Sequence, residues 1–334
     1  MKILSRKPED RESCNREPGS GESGGMKLAG REPGNLKSGS AKTIGRKSQK
    51  GAILSFRGKK SIMAKYLVPA VIIIPSALFL FPVLASITGS FMTMTEIGRR
   101  FSSAYGNAIT LVPDRITLGQ YYELLIEKFK YLNMFRNSVK LTVIITVFHV
   151  VIAVPTAYVF AKVDFKGRDI LFFVYIVVMM MPFQVTLLPV YIQARFLKTF
   201  DTWLAIILPG IFAPFGVFLM RQFMKYMPDE FLEAVALESN SIWDMFRIAM
   251  LPASKPGIIA LSVLTFAENW NMVEQPIVLL DDQLKYPLSI ALNSIIQQSS
   301  SVAFAGSVLY MSPVIILYFY FEEQIISGFS NMKF

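Results

Sequence analysis

One short pattern in the chain has the residue types of an enzyme site, but it lacks the base that the chemistry needs. Gly21, Ser23 and Gly25 match G-x-S-x-G, the strand-turn-helix corner that exposes a nucleophilic serine in hydrolases. That serine needs a histidine base, and the only histidine, His149, lies inside a distant apolar stretch without a carboxylate. We interpret His149 as a hydrogen-bonded packing residue. No phosphate-binding G-x-x-x-x-G-K-[ST] pattern occurs, so the sequence predicts neither an enzyme nor a nucleotide-binding loop.

A polar run that interrupts an apolar stretch is a candidate for binding a solute. It contains the candidate solute-path residues Glu268, Trp270, Asn271, Glu274 and Gln275. Ionisable groups inside a membrane cost roughly 2.5–3.5 kcal/mol each, so they indicate a cavity or a partner. On a continuous helix Glu268, Asn271 and Gln275 share one face, and Trp270 and Glu274 share another. Aromatic rings beside amides and carboxylates suit a hydroxyl-rich solute such as a sugar. An equal alternative is that this half lies at the outer interface or packs on a partner subunit.

A second stretch combines prolines with polar side chains. Pro182 and Pro189 bracket Gln184 and Thr186. Prolines kink helices and free backbone carbonyls that can line a water path. Core packing with incidental prolines is an equal alternative.

The composition is that of a protein that crosses a membrane several times. Of the 334 residues 53% are hydrophobic, and the mean hydropathy is +0.44. These values are too apolar for a soluble globule. The net charge of +10 lies in residues 1–65, which hold 16 Lys and Arg against 6 Asp and Glu, while the rest of the chain is balanced. The charge therefore does not indicate nucleic-acid binding.

Residues 1–65 form a distinct region rich in glycine, serine and charge, with the repeat REPG. Their apolar content is too low for independent folding, so we interpret them as a basic, disordered cytoplasmic arm. The arm is expected to anchor the topology, with binding of anionic membrane lipid as an alternative. A further alternative is a later translation start, at Met26 or Met63. The only cysteine, Cys14, lies here, so neither a disulfide framework nor a thiolate metal site is predicted.

Residues 66–334 contain six apolar stretches that each reach the roughly 20 residues needed to cross a bilayer as a helix. They are 67–87, 141–161, 170–192, 202–220, 257–280 and 303–321. With the arm inside, both termini are cytoplasmic and 24 of the 34 Lys and Arg lie inside, as the positive-inside rule expects. Without the arm the count is 8 inside and 10 outside, so the orientation depends on the arm. The outer segment 88–135 is expected to include a surface helix from Ile116.

The polar segment 223–256, between the fourth and fifth stretches, is predicted to be a helix-turn-helix that docks on another protein. Pro228 fits the opening turn of the first helix, followed by carboxylates near the positive end of the helix dipole. The second helix begins at Ser241 with Asp244 at capping-box spacing. Its apolar face consists of Ile242, Met245, Phe246, Ala249 and Met250. Pro252 and Pro256 are expected to end it.

These motifs resemble the inner-membrane permease subunits of binding-protein-dependent ABC importers, in the carbohydrate branch typified by the second maltose permease subunit. The similarity runs from about Tyr66 to the C-terminus and is most specific in the loop, where the family has E-A-A-x-x-D-G followed by I-x-L-P and K-P-G. The matching residues here are Glu233-Ala234-Val235, Glu238-Ser239, Phe246-Arg247-Ile248, Leu251-Pro252 and Lys255-Pro256-Gly257. Val235 and Ser239 replace the family's second alanine and its glycine, so the turn is expected to differ, with Asn240 supplying part of the left-handed conformation.

The resemblance implies an all-α membrane protein with six transmembrane helices and the type I ABC importer permease fold. It implies one half of a heterodimeric pore in a bacterial cell membrane. The implied partners are a second homologous permease subunit, two ATP-binding cassette subunits and an extracytoplasmic solute-binding protein. It implies no cofactor in this chain, because ATP and Mg are bound by the partner ATPase subunits. Coupling to them is assigned to Glu233, Ala234, Glu238, Ser239 and Asn240.

The sequence thus predicts the permease subunit of an ATP-driven importer, with a sugar or oligosaccharide as solute. The alternatives are a permease for another solute, such as a polyamine, glycerol phosphate or peptide. A secondary transporter is a weaker alternative, because the chain shows no internal repeat and only Glu268 resembles a coupling-ion carboxylate.

Overall fold

Long apolar runs fold as helices in this chain, because a helix satisfies its own backbone hydrogen-bonding groups where water is absent. The computed structural model describes residues 2–3, 55–101, 112–127, 129–239, 241–290, 292 and 300–330. It has two compact units, one of residues 5–80 and one of residues 1–4 with 81–334. Most of the predicted arm lies outside the described residues and stays a prediction, while its last residues, 55–65, belong to a helix that continues across the predicted boundary at residue 65.

Helices make up nearly all of the described chain. In chain order they are α1 (Ser55–Ser90), α2 (Met94–Phe101), α3 (Gly119–Tyr122), α4 (Phe129–Lys162), α5 (Arg168–Met179), α6 (Phe183–Phe196), α7 (Leu204–Ile211), α8 (Pro214–Lys225), α9 (Glu230–Ala236), α10 (Ile242–Asp244), α11 (Leu251–Ala253), α12 (Lys255–Trp270), α13 (Glu274–Leu279) and α14 (Ser300–Ser330). π-Helical stretches, Glu123–Glu127 and Met245–Met250, follow α3 and α10, and Gln283–Lys285 forms a 3₁₀ turn. The two-residue strands β1 (Lys2–Ile3) and β2 (Val163–Asp164) pair antiparallel.

The described residues contain up to six runs that could cross a membrane. Four are single runs, Val71–Gly89, Phe129–Lys162, Leu204–Lys225 and Val302–Ile326. Two more are bent pairs, α5 with α6 at 99° and Ile242–Ala253 with α12 at 73°. Each predicted stretch overlaps one of these six runs. The third and fifth stretches, however, are not straight helices.

The bend in the third stretch lies at the first of its two prolines. α5 ends at Met179, and Pro182 has an extended backbone, with φ −56° and ψ 136°, directly before α6. Proline has no N–H for the helix and disfavours helical backbone in the preceding residue, which explains the end of α5. Pro189 lies within α6, which continues through it. The predicted kink is therefore present at Pro182 only.

The predicted surface helix of the outer segment is present but short. α3 and the π-helical stretch after it cover Gly119–Glu127, and α4 follows almost at once. Its apolar residues Leu118, Tyr122 and Leu125 are exposed, while Gln120 and Leu124 between them are buried. Exposed apolar side chains are what a helix lying along a membrane surface presents to lipid.

Helix α4 is at the centre of the larger unit and packs against α7, α8 and α12. Small residues at four-residue spacing, Ala153, Ala157 and Ala161, are buried in the core that α4 shares with α8. Small side chains allow helices to approach closely in a membrane, where packing rather than hydrophobicity drives their association.

His149 and Gly216 mark a close approach between α4 and α8. The Nδ1 atom of His149 lies 2.9 Å from the carbonyl oxygen of Ile211, and the imidazole is buried. Because a carbonyl only accepts, Nδ1 carries the proton and donates it. A Cβ atom placed on Gly216 would lie 2.1 Å from Nε2 of the same ring. His149 is therefore the hydrogen-bonded packing residue that the sequence predicted.

At the end of the bundle where α6 stops, Asp201 joins the loops that follow α6 and α13. Asp201 has a left-handed backbone with φ 57°, and its N–H donates to the Leu279 carbonyl over 3.0 Å. Its Oδ1 accepts from the N–H groups of Asp281 and Asp282 at 3.0 and 3.1 Å, and its Oδ2 lies 2.7 Å from Nζ of Lys285. The hydrogen bond from Lys285, followed by those from the two N–H groups, lowers the pKa of Asp201 to about 2.

We predict a pH-dependent contribution of Asp201 to stability. Its folded pKa of about 2 lies below the ordinary value of 3.8, so the contribution is complete above pH 3.8 and is lost as pH falls through about 2. Asp201→Asn, which tolerates the left-handed backbone, should lower the thermal midpoint at pH 7, and its difference from the wild type should shrink between about pH 4 and 2. The control is Asp281→Asn, which removes the same charge from an exposed neighbour. A pH-independent difference for Asp201→Asn would contradict this prediction.

A second prediction concerns the contact between α4 and α8. Gly216→Ala should destabilise the purified protein by about 1–3 kcal/mol or more, because the new methyl overlaps the His149 ring. Thermal unfolding in detergent measures the loss. Gly98→Ala is the matched control, since a Cβ there meets nothing within 4 Å. Adding His149→Ala to Gly216→Ala should recover part of the loss, and an unchanged midpoint for Gly216→Ala alone would refute the close approach.

Candidate functional site

The loop segment, defined as residues 226–254, begins with a short helix that has one buried and one exposed face. Asp229 directly precedes α9, so Pro228 lies just before the helix and not in its first turn. Leu232 is buried, and Val235 packs on the core. The opposite face is exposed and consists of Glu230, Glu233 and Ala234 of α9 with Leu237 and Glu238 of the turn that directly follows it. These residues follow the i, i+3, i+4, i+7 and i+8 spacing of a single helical face.

The exposed face of α9 is chemically distinct. It carries three carboxylates and one large apolar side chain, that of Leu237, which is 91% exposed. The two carboxylates in the first turn also lie at the positive end of the helix dipole. A surface of this composition suits a partner that offers cations around an apolar cleft. Glu233, to which the resemblance assigns coupling, lies within this face.

The second half of the loop segment folds as its apolar pattern predicted. Ser241 caps it, with its Oγ accepting from the Asp244 N–H over 3.4 Å. The buried residues are Met245, Phe246, Ala249 and Met250, while Arg247 is exposed. The helical run continues through Pro252 to Ala253, and Pro256 lies in the first turn of α12. The helix thus ends before the next membrane run, as expected, and the chain turns between the two prolines, at the buried Ser254.

At Ser239 the turn between the two halves is held by side-chain hydrogen bonds and not by a left-handed backbone. Ser239 donates its hydroxyl to Oδ2 of Asp244 over 2.6 Å and accepts from the Ser241 N–H over 3.2 Å. Among the described non-glycine residues a positive φ occurs only at Lys198 and Asp201, so Ser239 is not left-handed. Asn240, the other residue predicted for the turn, lies outside the described residues. The serine thus contributes hydrogen bonds where the related motif has glycine.

The C-terminal end of α4 contacts both halves of the loop segment. The Nζ of Lys162 lies 2.6 Å from Oδ1 of Asp229 and 2.8 Å from the Met227 carbonyl oxygen. The Tyr158 hydroxyl lies 3.4 Å from the Ile242 carbonyl oxygen, and its ring is 5.2 Å from that of Phe246. Sequence reasoning missed these contacts. The available signal was the lone lysine that ends a charge-free stretch.

The second candidate region is a break in the fifth stretch. α12 ends at Trp270 and α13 begins at Glu274, so the predicted continuous helix across the polar run is wrong. Two causes are visible. Asn269 and Asn271 direct their side-chain N–H groups to the carbonyls of Thr265 and Ala267, each at 2.8 Å, and so compete with the backbone. Pro276 also lacks the N–H that a continued helix would direct to residue 272.

This break meets the bend of the third stretch, and polar side chains cluster where they meet. Gln184, in the first turn of α6, has its Nε2 3.3 and 3.4 Å from the two carboxylate oxygens of Glu274. The Tyr310 hydroxyl donates to Oδ1 of Asn271 over 2.8 Å. Glu268 is exposed on the last turns of α12. We call Gln184, Glu268, Asn271, Glu274 and Tyr310 the break cluster.

The predicted role of Trp270 needs a correction. Its side chain is 1% exposed, and its indole N–H donates to the Tyr310 carbonyl over 3.0 Å. The rings of Phe135 and Phe266 lie 5.7 Å from it, edge-on and stacked. The ring is therefore enclosed by its own chain and offers no open face for stacking on a sugar. Trp270 instead supports the backbone that carries Asn271.

The break cluster offers hydroxyl, amide and carboxylate groups that can exchange hydrogen bonds with a polar solute. The structure joins Glu274 with Gln184, which sequence reasoning had placed in a separate candidate stretch, and adds Tyr310, which it missed. Gln275 is half-buried next to the cluster. The described part of the chain contains no group of three or more His, Cys, Asp or Glu side chains that could hold a metal ion.

Comparison with known proteins gives one consistent result. Residues 149–328 match the family model of the binding-protein-dependent transport system inner membrane component. An arabinooligosaccharides transport system permease protein of Halalkalibacterium halodurans is 31% identical over 253 residues, 74% of this chain and 88% of that protein. A diacetylchitobiose uptake system permease protein of Streptomyces coelicolor is 27% identical, covering 60% of this chain and 68% of its own.

A solved structure shares the fold. It is a chain from the crystal structure of a bacterial ABC transporter involved in the import of the acidic polysaccharide alginate. The TM-score is 0.65 at 22% identity, with 79% of this chain and 97% of that chain covered. At this identity the likeness concerns the fold.

Proposed function

The chain belongs to the family of binding-protein-dependent transport system inner membrane components, and from that premise we propose that it is the permease subunit of an ATP-driven importer for a sugar or oligosaccharide. The observation that carries this proposal is the exposed acidic face of α9, presented by a loop segment whose other face is built into the core. The relatives named for arabinooligosaccharides and diacetylchitobiose support the sugar class.

In this proposal ATP and Mg are bound by two separate ATP-binding cassette subunits. The exposed face of α9 docks on those subunits, with Glu233 contacting basic side chains and Leu237 entering an apolar cleft. Ala234 allows close approach, and Ser239 maintains the turn behind the helix. This assignment puts the loop segment and both termini in the cytoplasm.

The break cluster is the proposed solute path. Helix ends inside a membrane leave backbone groups that must face a cavity or other protein groups, which makes a meeting of two broken helices suitable for a polar solute. Asn271, Glu274 and Gln184 would exchange hydrogen bonds with solute hydroxyls, while Trp270 fixes the backbone beneath them. Glu268, Asn271, Glu274 and Gln184 are exposed in the single chain, so a second homologous permease subunit is needed to enclose the path. An extracytoplasmic solute-binding protein would deliver the sugar.

We predict that Glu233→Lys uncouples the importer. In the complete complex reconstituted in proteoliposomes, solute uptake should fall by roughly tenfold or more, because the reversed charge repels a basic partner surface. Co-purification of the ATP-binding subunits should weaken in parallel. Glu127→Lys, the same change at another exposed helical carboxylate before α4, is the control. Uptake at the wild-type rate in Glu233→Lys would argue against docking through this face.

A separate prediction tests the solute path. Asn271→Ala and Glu268→Ala should change the stimulation of ATPase activity by the sugar-loaded binding protein, with arabinooligosaccharide as the first sugar tried. Each lost hydrogen bond to the solute corresponds to about 0.5–1.5 kcal/mol, or roughly a two- to tenfold shift in the half-saturating sugar concentration. Thr186→Ala, near the cluster but bonded to its own helix, is the control. If stimulation is unchanged in both variants, the cluster is a packing feature and not part of the solute path.

A further inference from the structure

A buried charge ends α4 where this helix meets the loop segment. Lys162 is 4% exposed, and its Nζ is held by the Asp229 carboxylate and the Met227 carbonyl oxygen. An ammonium group removed from water must find such partners, because an unpaired buried charge is costly. Asp229 keeps 55% of its side chain exposed, so the lysine is the fixed member of the pair. Both acceptors lie just before α9, so Lys162 contacts the chain where that helix begins.

The same face of α4 reaches the second half of the loop segment. Tyr158 lies four residues before Lys162, so the two side chains share one helical face. Tyr158 contacts the Ile242 carbonyl and the Phe246 ring. One helix face thus holds both halves of the loop segment, one through a charge and the other through an aromatic side chain.

The opposite end of α4 is bonded to the segment that follows α13. The Asn137 side-chain amide donates to the carbonyl oxygens of Leu284 at 2.7 Å and Tyr286 at 3.2 Å. The Ser138 hydroxyl accepts from the Leu288 N–H over 2.7 Å. At 34 residues α4 is about 51 Å long, more than the roughly 30 Å hydrocarbon core of a bilayer. It therefore connects the two segments that flank α12 and α13 on opposite sides of the membrane.

We propose that Lys162 is a positioning residue for energy coupling. A force on the exposed face of α9 passes through the Lys162 contacts to α4. Helix α4 transmits this force to the segment after α13. The loop segment, α4 and the segment after α13 therefore move as one body. The inference rests on the proposed function, because it requires the loop segment to dock on the ATP-binding subunits. Without the lysine, Tyr158 and the apolar contacts still hold the loop segment, but the start of α9 is free to tilt. ATP hydrolysis then continues while solute passage falls.

The test is the number of solute molecules transported per ATP hydrolysed by the complete importer in proteoliposomes. Lys162→Met should lower this ratio roughly fivefold or more, the scale of a coupling energy between sites, while ATP hydrolysis persists. Lys162→Arg should restore most of the ratio, since its guanidinium can donate to both acceptors. Arg168→Met is the matched control: it removes a cation that pairs with Asp164 at 2.8 Å, at the same end of α4, and should leave the ratio unchanged.

The outcomes separate this proposal from the function it rests on. An unchanged ratio in an assembled Lys162→Met importer, or an equal fall in Arg168→Met, overturns the role of Lys162. If Lys162→Met does not assemble, Asp229→Asn decides: it removes the ion pair and leaves the bond to Met227, so an intermediate fall in the ratio supports the proposal and no fall overturns it. A wild-type complex without uptake dependent on a binding protein would instead overturn the proposed function, before any variant is compared.

Discussion

The close approach of α4 to its neighbours is the constraint on which the rest of the structure depends. Lipid chains are as apolar as leucine, so helices in a membrane associate through tight packing and not through the exclusion of water. The alanine face of α4 and the absence of a side chain at Gly216 supply the necessary shape. Because α7, α8 and α12 all pack on α4, one helix positions three others. The loop segment lies between α8 and α12, and the break cluster begins on the last turns of α12, so this packing contributes to the position of both.

Polar side chains add hydrogen bonds and ion pairs to the contacts made by helix packing. In the described chain, polar side chains near the two ends of α4 are used internally: Lys162 holds the loop segment, and Asn137 and Ser138 hold the segment after α13. The side chains that remain exposed include the carboxylates of α9 and Glu268, Asn271 and Glu274 of the break cluster. A membrane protein keeps such groups available where a partner or a solute can satisfy them. Some polar groups thus hold the fold together, and others stay exposed for a partner or a solute. This division suits the fold to transport.

The sequence was sufficient for features whose cause is local. The apolar stretches, the Ser241 cap and the buried face from Met245 to Met250 depend on residues close together in the chain, and all were predicted. The enclosed position of Trp270 was not, because Tyr310 and Phe135, which surround it, are distant in sequence. The contact of Lys162 with Asp229 was missed for the same reason, because the two residues are distant in sequence. The end of α12 was missed for another reason: helical spacing was extended across Asn271 although Pro276 lay five residues further on.

The π-helical stretch from Met245 to Met250 makes the length of this part of the loop segment adjustable by one residue. A π turn completes its rotation with an extra residue compared with an α turn, so removing one residue there would restore an α turn and keep the flanking faces in nearly the same direction. After such a deletion Glu233 would still face the same side relative to α12. Alignments of related chains should therefore treat a one-residue gap at this point as a change that preserves the direction of the exposed face of α9.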